Sequence, residues 1–335
     1  MTKGLTQVIS MKQILDLVRD DLKRVECAIG LETVGSVGAI KTISHHMHSA
    51  GGKRLRPILL LLSSRLVQSS SETSEEAIQL AAVVELIHTS TLVHDDVIDE
   101  AKTRRGAPSA NALWGNQMSV LAGDWLYMQA FQIAMRQRNF AILDILIGLT
   151  QVMVEGEFLQ MDRLGRIDIS EIDYMELVDR KTASLFSACC RMGAMAGGAG
   201  DAEAARLGEF AWNLGIAFQM IDDILDFTSK ETILGKPVGN DLAEGKVTLP
   251  LLYALAEATR EETRLIETIL KDRSYERVPF SRVLEIIEKY RGVERAQERA
   301  LHFTDRARQI IETFPDSAYR KAVLTIADIV TDRDR

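Results

Sequence analysis

Helical periodicity is the sequence feature that most constrains the fold. Apolar residues recur at spacings of three and four along most of the chain, and the two-residue alternation typical of strands is not sustained. An early example of the helical pattern is Met11, Ile14, Leu15, Val18, Leu22 and Val25. No proline lies between Pro108 and Pro237, so this stretch is open to helices joined by glycine-containing turns such as 197–200. We therefore predict an all-α fold.

Composition and chain organisation favour one globular unit. Apolar residues make up 46% and charged residues 26% of the 335 residues, which is the balance of a protein with a sizeable core. No stretch rich in serine, proline or charge separates two halves. We predict a single large helical bundle that forms one domain over residues 1–335.

Charge and cysteine usage exclude several classes of protein. The net charge of -8 argues against nucleic-acid binding, which needs a basic face. Three cysteines without metal-ligand spacing, Cys27, Cys189 and Cys190, suit a reducing compartment, and we expect a cytoplasmic protein. The N-terminus lacks a signal-peptide core, and the apolar run 57–62 is too short to cross a bilayer, so we expect no transmembrane segment.

Two aspartate motifs of the form DDxxD carry the chemistry. Residues four apart share a helix face, so Asp95 and Asp99 point the same way, as do Asp222 and Asp226. Like charges at this spacing disfavour a bare helix by roughly 0.2–0.5 kcal/mol, so a cation should neutralise them. Mg²⁺ fits, because it prefers oxygen ligands and bridges carboxylates to phosphates. The similar segments LVHDDVID and MIDDILD suggest two acidic helices that face each other.

An acidic motif can also be a solvated helix face, and for a single copy this alternative is equally good. Two copies among apolar neighbours weaken it. The motifs also extend polar stripes on otherwise apolar helices, which indicates the wall of a cavity. The stripes are His88, Thr91, Asp95 and Asp99 in the first helix and Gly215, Gln219, Asp222 and Asp226 in the second.

Basic residues lie near both motifs. The segment GGKRLRP, residues 51–57, sets three cations beside two glycines and has the character of a diphosphate clamp. Further cations border glycine or small residues, namely Arg104, Arg105, Lys181, Lys236 and Lys246. Each alone is more often an ordinary surface charge, so the argument depends on their combination. The histidines at 45, 46 and 48 lack the partners of a metal site, and we interpret them as helix surface.

The ordered motifs GGKRLRP, IHTSTLVHDDVIDE, RRG, KT, FQMIDDILDF, GKPVGNDLAEGK and TLP resemble those of the trans-polyprenyl (isoprenyl) diphosphate synthases, long-chain type. The resemblance runs from about Lys41 to Leu251. It implies the isoprenoid synthase fold, a helical bundle around a deep central cavity, a homodimer and three Mg²⁺ ions. The implied reaction joins an allylic prenyl diphosphate head-to-tail to isopentenyl diphosphate and gives a longer all-trans product.

The resemblance also implies residue roles. The isopentenyl diphosphate contacts are Lys53, Arg56, His88 and Arg105. The principal metal ligands are Asp95, Asp99 and Asp222; Asp226 joins the metal site and, with Asp96 and Asp223, supports it through hydrogen bonds or water. The groups around the allylic diphosphate are Arg104, Lys181, Thr182, Gln219, Lys236 and Lys246. The catalytic set is Asp95, Asp99, Asp222, Lys181 and Lys236. No motif is assigned after about Arg260.

Product length should depend on the residues before Asp95. Short-chain family members typically place a bulky aromatic side chain four or five residues earlier, where this chain has Thr91 and Ser90. We therefore expect a product longer than twenty carbons, about thirty to fifty, because a rise of about 1.5 Å per residue leaves a long shaft beyond them. Trp125, Met128 and Phe131 are available for its floor. Release of such a product suggests peripheral membrane contact.

Other functions compete with this one. A geranylgeranyl or farnesyl diphosphate synthase would share the motifs, whereas a terpene cyclase or a head-to-head synthase would need no isopentenyl clamp. A non-catalytic subunit should have lost some of its aspartates, and none is lost here. A catalytic chain that requires a different partner subunit stays open.

Overall fold

The computed structural model describes residues 9–32, 38–49, 52–68, 72–104, 106–229 and 238–331. Within these ranges the chain is helical, as predicted, apart from one short antiparallel hairpin. Two predicted site residues, Arg105 and Lys236, lie outside the described residues. The helices pack as two compact units.

Unit 1 is drawn from residues 1–148, 186–208 and 311–325. Its N-terminal elements are α1 (Met11–Glu32), α2 (Gly38–Ser49), α3 (Leu55–Val67), α4 (Glu75–Ile98), β1 (Thr103–Arg104), β2 (Ala107–Pro108) and α5 (Ala110–Arg136). In the hairpin, Thr103 pairs with Pro108 and Arg104 with Ala107.

Unit 2 is drawn from residues 149–185, 209–310 and 326–335. The elements after α5 are α6 (Phe140–Arg163), α7 (Glu171–Val178), a π-helix (Asp179–Ala183), α8 (Ser184–Ala196), α9 (Asp201–Thr228), α10 (Asn240–Ala243), α11 (Leu249–Leu255), α12 (Arg260–Asp272), α13 (Phe280–Lys289), α14 (Gly292–Glu312) and α15 (Ala318–Thr331). Helices α6, α8, α9, α14 and α15 contribute to both units. The single domain over 1–335 stays a prediction.

The first aspartate motif lies at the C-terminal end of α4, which is a core helix. Its residues from Leu80 to Ile87 are all buried, which suits a helix that is apolar around its circumference. By length and composition α4 could cross a membrane, but 67% of its apolar window is buried within the protein. That burial is what a core helix shows, so this one helix is weak evidence for a membrane span.

Candidate active site

The first aspartate motif lies at the C-terminal end of α4, in unit 1. The helix ends at Ile98, and Asp99 is its C-cap. The Asp99 N–H still donates to the Asp95 carbonyl at 2.8 Å, so the two residues keep the one-turn spacing that the sequence predicts. Both side chains are half-buried, whereas Asp96 between them is 4% exposed. Asp95 and Asp99 are therefore the members of this motif that an ion can reach.

Asp96 fastens the hairpin that follows α4. Its Oδ1 accepts hydrogen bonds from Nε and Nη2 of Arg104, at 2.8 and 2.5 Å. Its carbonyl accepts a third from Nδ2 of Asn111, at 2.9 Å. Burial raises the pKa of Asp96 above its ordinary value, and Arg104 opposes this. Arg104, predicted to contact the allylic diphosphate, is thus held by Asp96 beside the motif.

The basic segment before α3 brings two predicted residues together. Nη1 of Arg56 lies 3.0 Å from Nε2 of His88 on α4. The Arg56 guanidinium also lies over the Phe186 ring, 5.1 Å from its centroid. Lys53 is exposed. The predicted isopentenyl contacts among the described residues are therefore an arginine stacked on Phe186, its histidine neighbour and an exposed lysine.

The second aspartate motif lies on α9, in unit 2. Asp222 is half-buried, and Asp226 is 0% exposed. The Asp226 carbonyl accepts from the Gly239 N–H at 2.8 Å, and its Oδ2 accepts from the Asp241 N–H at 3.2 Å. Asp226 therefore fixes the start of α10, and Asp222 is the more accessible carboxylate of the pair.

A chain of hydrogen bonds surrounds Asp223. The Thr182 hydroxyl donates to Oε1 of Gln219 at 2.8 Å, and Nε2 of Gln219 donates to Oδ1 of Asp223 at 2.8 Å. The Tyr174 hydroxyl donates to Oδ2 of Asp223 at 2.7 Å. Burial, with repulsion from Asp241, raises the pKa of Asp223 to about 8. The sequence did not point to Tyr174, because its partner is 49 residues away.

Lys181 and Thr182 lie in the π-helix, an irregularity found frequently at functional sites. Nζ of Lys181 donates to Oε1 of Gln160 at 2.9 Å and pairs with the Glu157 carboxylate. Both partners lie on α6 and were missed by the sequence reasoning. Their three-residue spacing puts both on one face of α6, and this is the signal that could have found them.

Gly156 lets α6 approach the π-helix closely. A Cβ at this position would lie 3.0 Å from Cγ of Lys181 and 3.0 Å from Cβ of Arg180. Both distances are tighter than ordinary side-chain packing. The absence of a side chain at residue 156 therefore helps to place Lys181.

Residues after 260, where the sequence analysis assigned no motif, contact Gly239 at the start of the segment 239–246. Gly239 has φ +70, and a Cβ there would lie 2.3 Å from the Phe280 ring. The Tyr275 hydroxyl donates to the Gly239 carbonyl at 2.5 Å. Lys246 pairs with Glu244 at 2.7 Å. Residues after 260 thus position part of the second motif's surroundings.

The two predicted chain-length residues occupy different environments on α4. Ser90 is 0% exposed, and its hydroxyl donates to the Gly123 carbonyl on α5 at 2.7 Å. Thr91 is half-buried on the stripe of His88 and Asp95, and its hydroxyl donates to the His88 carbonyl at 2.8 Å. Of the three floor candidates, Met128 is 62% exposed, whereas Trp125 and Phe131 are half-buried.

The donor set fits magnesium bound together with substrate. Among the described residues, no three side chains of His, Cys, Asp or Glu form a preformed metal cage. Mg²⁺ usually takes one or two carboxylates and completes its shell with phosphate oxygens and water. The half-buried pair Asp95 and Asp99 and the half-buried Asp222 offer such ligands.

His46, one of the histidines interpreted above as helix surface, lies 3.0 Å from the Pro108 carbonyl and packs edge-on against Trp114.

Comparison with known proteins decides the family. The polyprenyl synthetase family model matches residues 37–287, which is most of the chain. The chain belongs to the polyprenyl synthetase family. It is a prenyltransferase with the all-α isoprenoid synthase fold, as the ordered motifs predicted.

Relatives of this polyprenyl synthetase family member make different products. The chain is 36% identical to the octaprenyl diphosphate synthase of Escherichia coli (strain K12), over 98% of this chain and 100% of that one. It is also 36% identical to the short chain isoprenyl diphosphate synthase of Methanothermobacter thermautotrophicus, over 97% and 100%. A polyprenyl synthase from Caulobacter crescentus CB15, solved with calcium and isoprenyl diphosphate, has a TM-score of 0.91 at 35% identity, with 97% and 98% coverage.

Proposed function

We propose that this chain condenses an allylic prenyl diphosphate head-to-tail with isopentenyl diphosphate, in one polyprenyl synthase domain, and releases a long-chain all-trans polyprenyl diphosphate. The observation that carries the proposal is the 3.0 Å contact between Arg56 and His88, because both residues match the isopentenyl diphosphate contacts of the family. A cyclase has one diphosphate to hold, whereas a chain-elongating enzyme has two.

Asp95, Asp99 and Asp222 would hold magnesium, three ions in all, with Asp226 in support. When bound, the metal neutralises the diphosphate that leaves the allylic carbon, and such electrostatic stabilisation is usually the largest catalytic effect. Asp96 and Asp223 are buried and hydrogen-bonded, so they orient their neighbours rather than ligate.

Two sets of side chains take the two substrates. Lys181 exchanges Glu157 for the allylic diphosphate, and the other groups proposed around this substrate are Arg104, Thr182, Gln219, Lys236 and Lys246. The groups proposed to hold isopentenyl diphosphate are Lys53, Arg56, His88 and Arg105. The allylic carbon–oxygen bond breaks, and the isopentenyl double bond attacks the allylic carbon. The carbocation that results loses a proton from its isopentenyl portion to form a new double bond, and the released diphosphate accepts this proton.

Product length follows from the residues before Asp95. Thr91 and Ser90 are small, and the similarity to the octaprenyl synthase agrees with a product longer than twenty carbons. The short-chain alternative is supported by a relative of equal identity, so identity alone does not decide between the two. The side chains at 90 and 91 favour the longer product.

The oligomer we propose is a homodimer. Helix α5 exposes Leu121, Met128 and Met135 at seven-residue intervals, each about 60% exposed. Helix α6 exposes Phe140, Ile147, Val154 and Met161 at the same interval. Apolar stripes of this length on helices are the surfaces that a second copy of the chain would cover. Light scattering of wild type and Met128→Glu tests this: the variant should shift towards monomer.

We place the protein in the cytoplasm, with product release at a membrane surface. The three cysteines are free thiols, with Cys189 and Cys190 buried, which supports a reducing compartment.

The direct test supplies the purified chain with Mg²⁺, farnesyl diphosphate and radiolabelled isopentenyl diphosphate. Label should appear in a longer prenyl diphosphate that phosphatase converts to an alcohol. An unlabelled cyclic hydrocarbon would identify a cyclase instead, and no product from the chain alone would indicate a requirement for a partner subunit.

A further inference from the structure

Arg54, the middle cation of the GGKRLRP segment, points away from the surface. Its side chain is 16% exposed, and its Nε donates to Oε1 of Glu26 on α1 at 2.7 Å. Its Nη1 donates to Oε1 of Glu85 on α4 at 2.5 Å, and Glu85 is 6% exposed. A guanidinium committed to two carboxylates is not available to a diphosphate. The segment therefore contains one exposed cation, Lys53, and two arginines, Arg54 and Arg56, that contact α4.

The backbone conformation of Arg54 is also unusual. This residue is the N-cap of α3, in the left-handed region at φ 48 and ψ 32. Residues other than glycine rarely adopt this backbone conformation, and they keep it only where surrounding contacts stabilise it. The ion pairs with Glu26 and Glu85 are contacts of that kind. They fix the direction in which the chain leaves Lys53 and enters the helix that bears Arg56.

Helix α4 holds both arginines with side chains one turn apart. Glu85 receives Arg54, and His88, three residues later on the same face, contacts Arg56. The two contacts keep the arginines on separate partners. Without Arg54, the buried Glu85 carboxylate would lack its cation and would compete for Arg56 one turn away.

We propose that Arg54, Glu85 and Glu26 form a positioning unit for the non-allylic diphosphate site. They do not touch the substrate; they hold Lys53 and Arg56 in the direction that isopentenyl diphosphate requires. The inference rests on the proposed function for the identity of that substrate. It predicts an effect confined to one of the two substrates, which a general loss of structure would not produce.

The test compares Glu85→Gln, Arg54→Gln and the double variant in steady-state assays with farnesyl and isopentenyl diphosphates. Each single variant should raise KM for isopentenyl diphosphate about tenfold or more and leave KM for farnesyl diphosphate and kcat within about twofold. The double variant removes both charges together, so its KM should be no higher than that of the single variants. If Arg54→Gln fails to fold, the double variant and Glu26→Gln replace it. Glu26 is the more exposed of the two carboxylate partners of Arg54.

Glu75→Gln is the matched control, because the Arg24 and Glu75 ion pair joins the same two helices, α1 and α4, at 2.8 Å. Its KM values should equal those of wild type. The inference is overturned if folded Glu85→Gln and Arg54→Gln bind isopentenyl diphosphate like wild type, or if both KM values rise together. If wild type alone transfers no label, the positioning role is decided separately from the proposed function, by calorimetric titration of isopentenyl diphosphate into the same variants.

Discussion

The Tyr174 hydroxyl donates a 2.7 Å hydrogen bond to Asp223, the central aspartate of the second motif. This bond and the one from Gln219 occupy both oxygens of a buried carboxylate. Asp222, the proposed ligand, is the adjacent residue on α9. Tyr174, which no motif singles out, therefore holds the residue next to the proposed ligand.

Replacing Tyr174 with Phe should lower turnover or apparent Mg²⁺ affinity by about 10–100-fold, as loss of a group behind a metal ligand typically does. Magnesium titrations of activity measure both. Tyr253→Phe is the control, because that hydroxyl lies in the same unit and donates to Glu171, which is not a motif residue, at 3.1 Å. Equal behaviour of the two variants would show that the Tyr174 hydroxyl has no special role.

Gly156→Ala should disturb the π-helix, because the new Cβ would lie 3.0 Å from Lys181 and Arg180 side-chain atoms. Overpacking of this kind costs about 1–3 kcal/mol, and we expect KM for the allylic substrate to rise. Gly148→Ala on the same helix meets nothing within 4 Å and should stabilise the protein by about 0.5–1 kcal/mol. Thermal unfolding measures the stability of both variants, and steady-state kinetics measure their KM for the allylic substrate. An unchanged allylic KM in Gly156→Ala would contradict this account of Lys181.

Thr91→Phe and Ser90→Phe should differ in effect. Thr91 lies on the stripe of His88 and Asp95, so an aromatic ring there should shorten the product. Ser90 is buried against the Gly123 carbonyl, so Phe there must displace α5 and should also cost about 1–3 kcal/mol of stability. Chromatography of the dephosphorylated products gives the length, and thermal unfolding gives the stability. Products of wild-type length from both variants would refute control of length at these positions.

The two diphosphate sites should be separable by substitution. Lys181→Ala should act on the allylic substrate and on turnover, because Lys181 is adjacent to Thr182, whose hydroxyl donates to Gln219. Arg105→Ala should chiefly raise KM for isopentenyl diphosphate. Titration of each substrate against each variant provides the measurement, and a reversed pattern would contradict the assignment.

Local spacing made much of the fold and site predictable. The helical period and the lack of proline predicted the helices, and α9, Asp201–Thr228, lies within the stretch without proline. The one-turn spacing placed Asp95 and Asp99 on one face. These relations lie within a helix, where sequence separation fixes geometry.

The unpredicted parts involve contacts between distant segments. Tyr174 reaches Asp223 from 49 residues away, and Tyr275 reaches Gly239 from 36. Arg54 has the sequence context of a clamp residue, yet packing against α1 and α4 turns it inward. The π-helix at Lys181 likewise depends on α6, which approaches closely at Gly156. Periodicity within one element carries no information on such pairings.

The central claim is that both aspartate motifs serve one magnesium-dependent prenyl transfer. The most direct measurement is turnover at saturating Mg²⁺ for Asp95→Asn and Asp222→Asn, with label from isopentenyl diphosphate as the readout. Asp144→Asn in unit 1 and Asp305→Asn in unit 2 are controls at exposed aspartates outside the motifs. We predict that each motif variant loses at least about three orders of magnitude in turnover while both controls match wild type. Near-normal turnover of either motif variant would contradict the account.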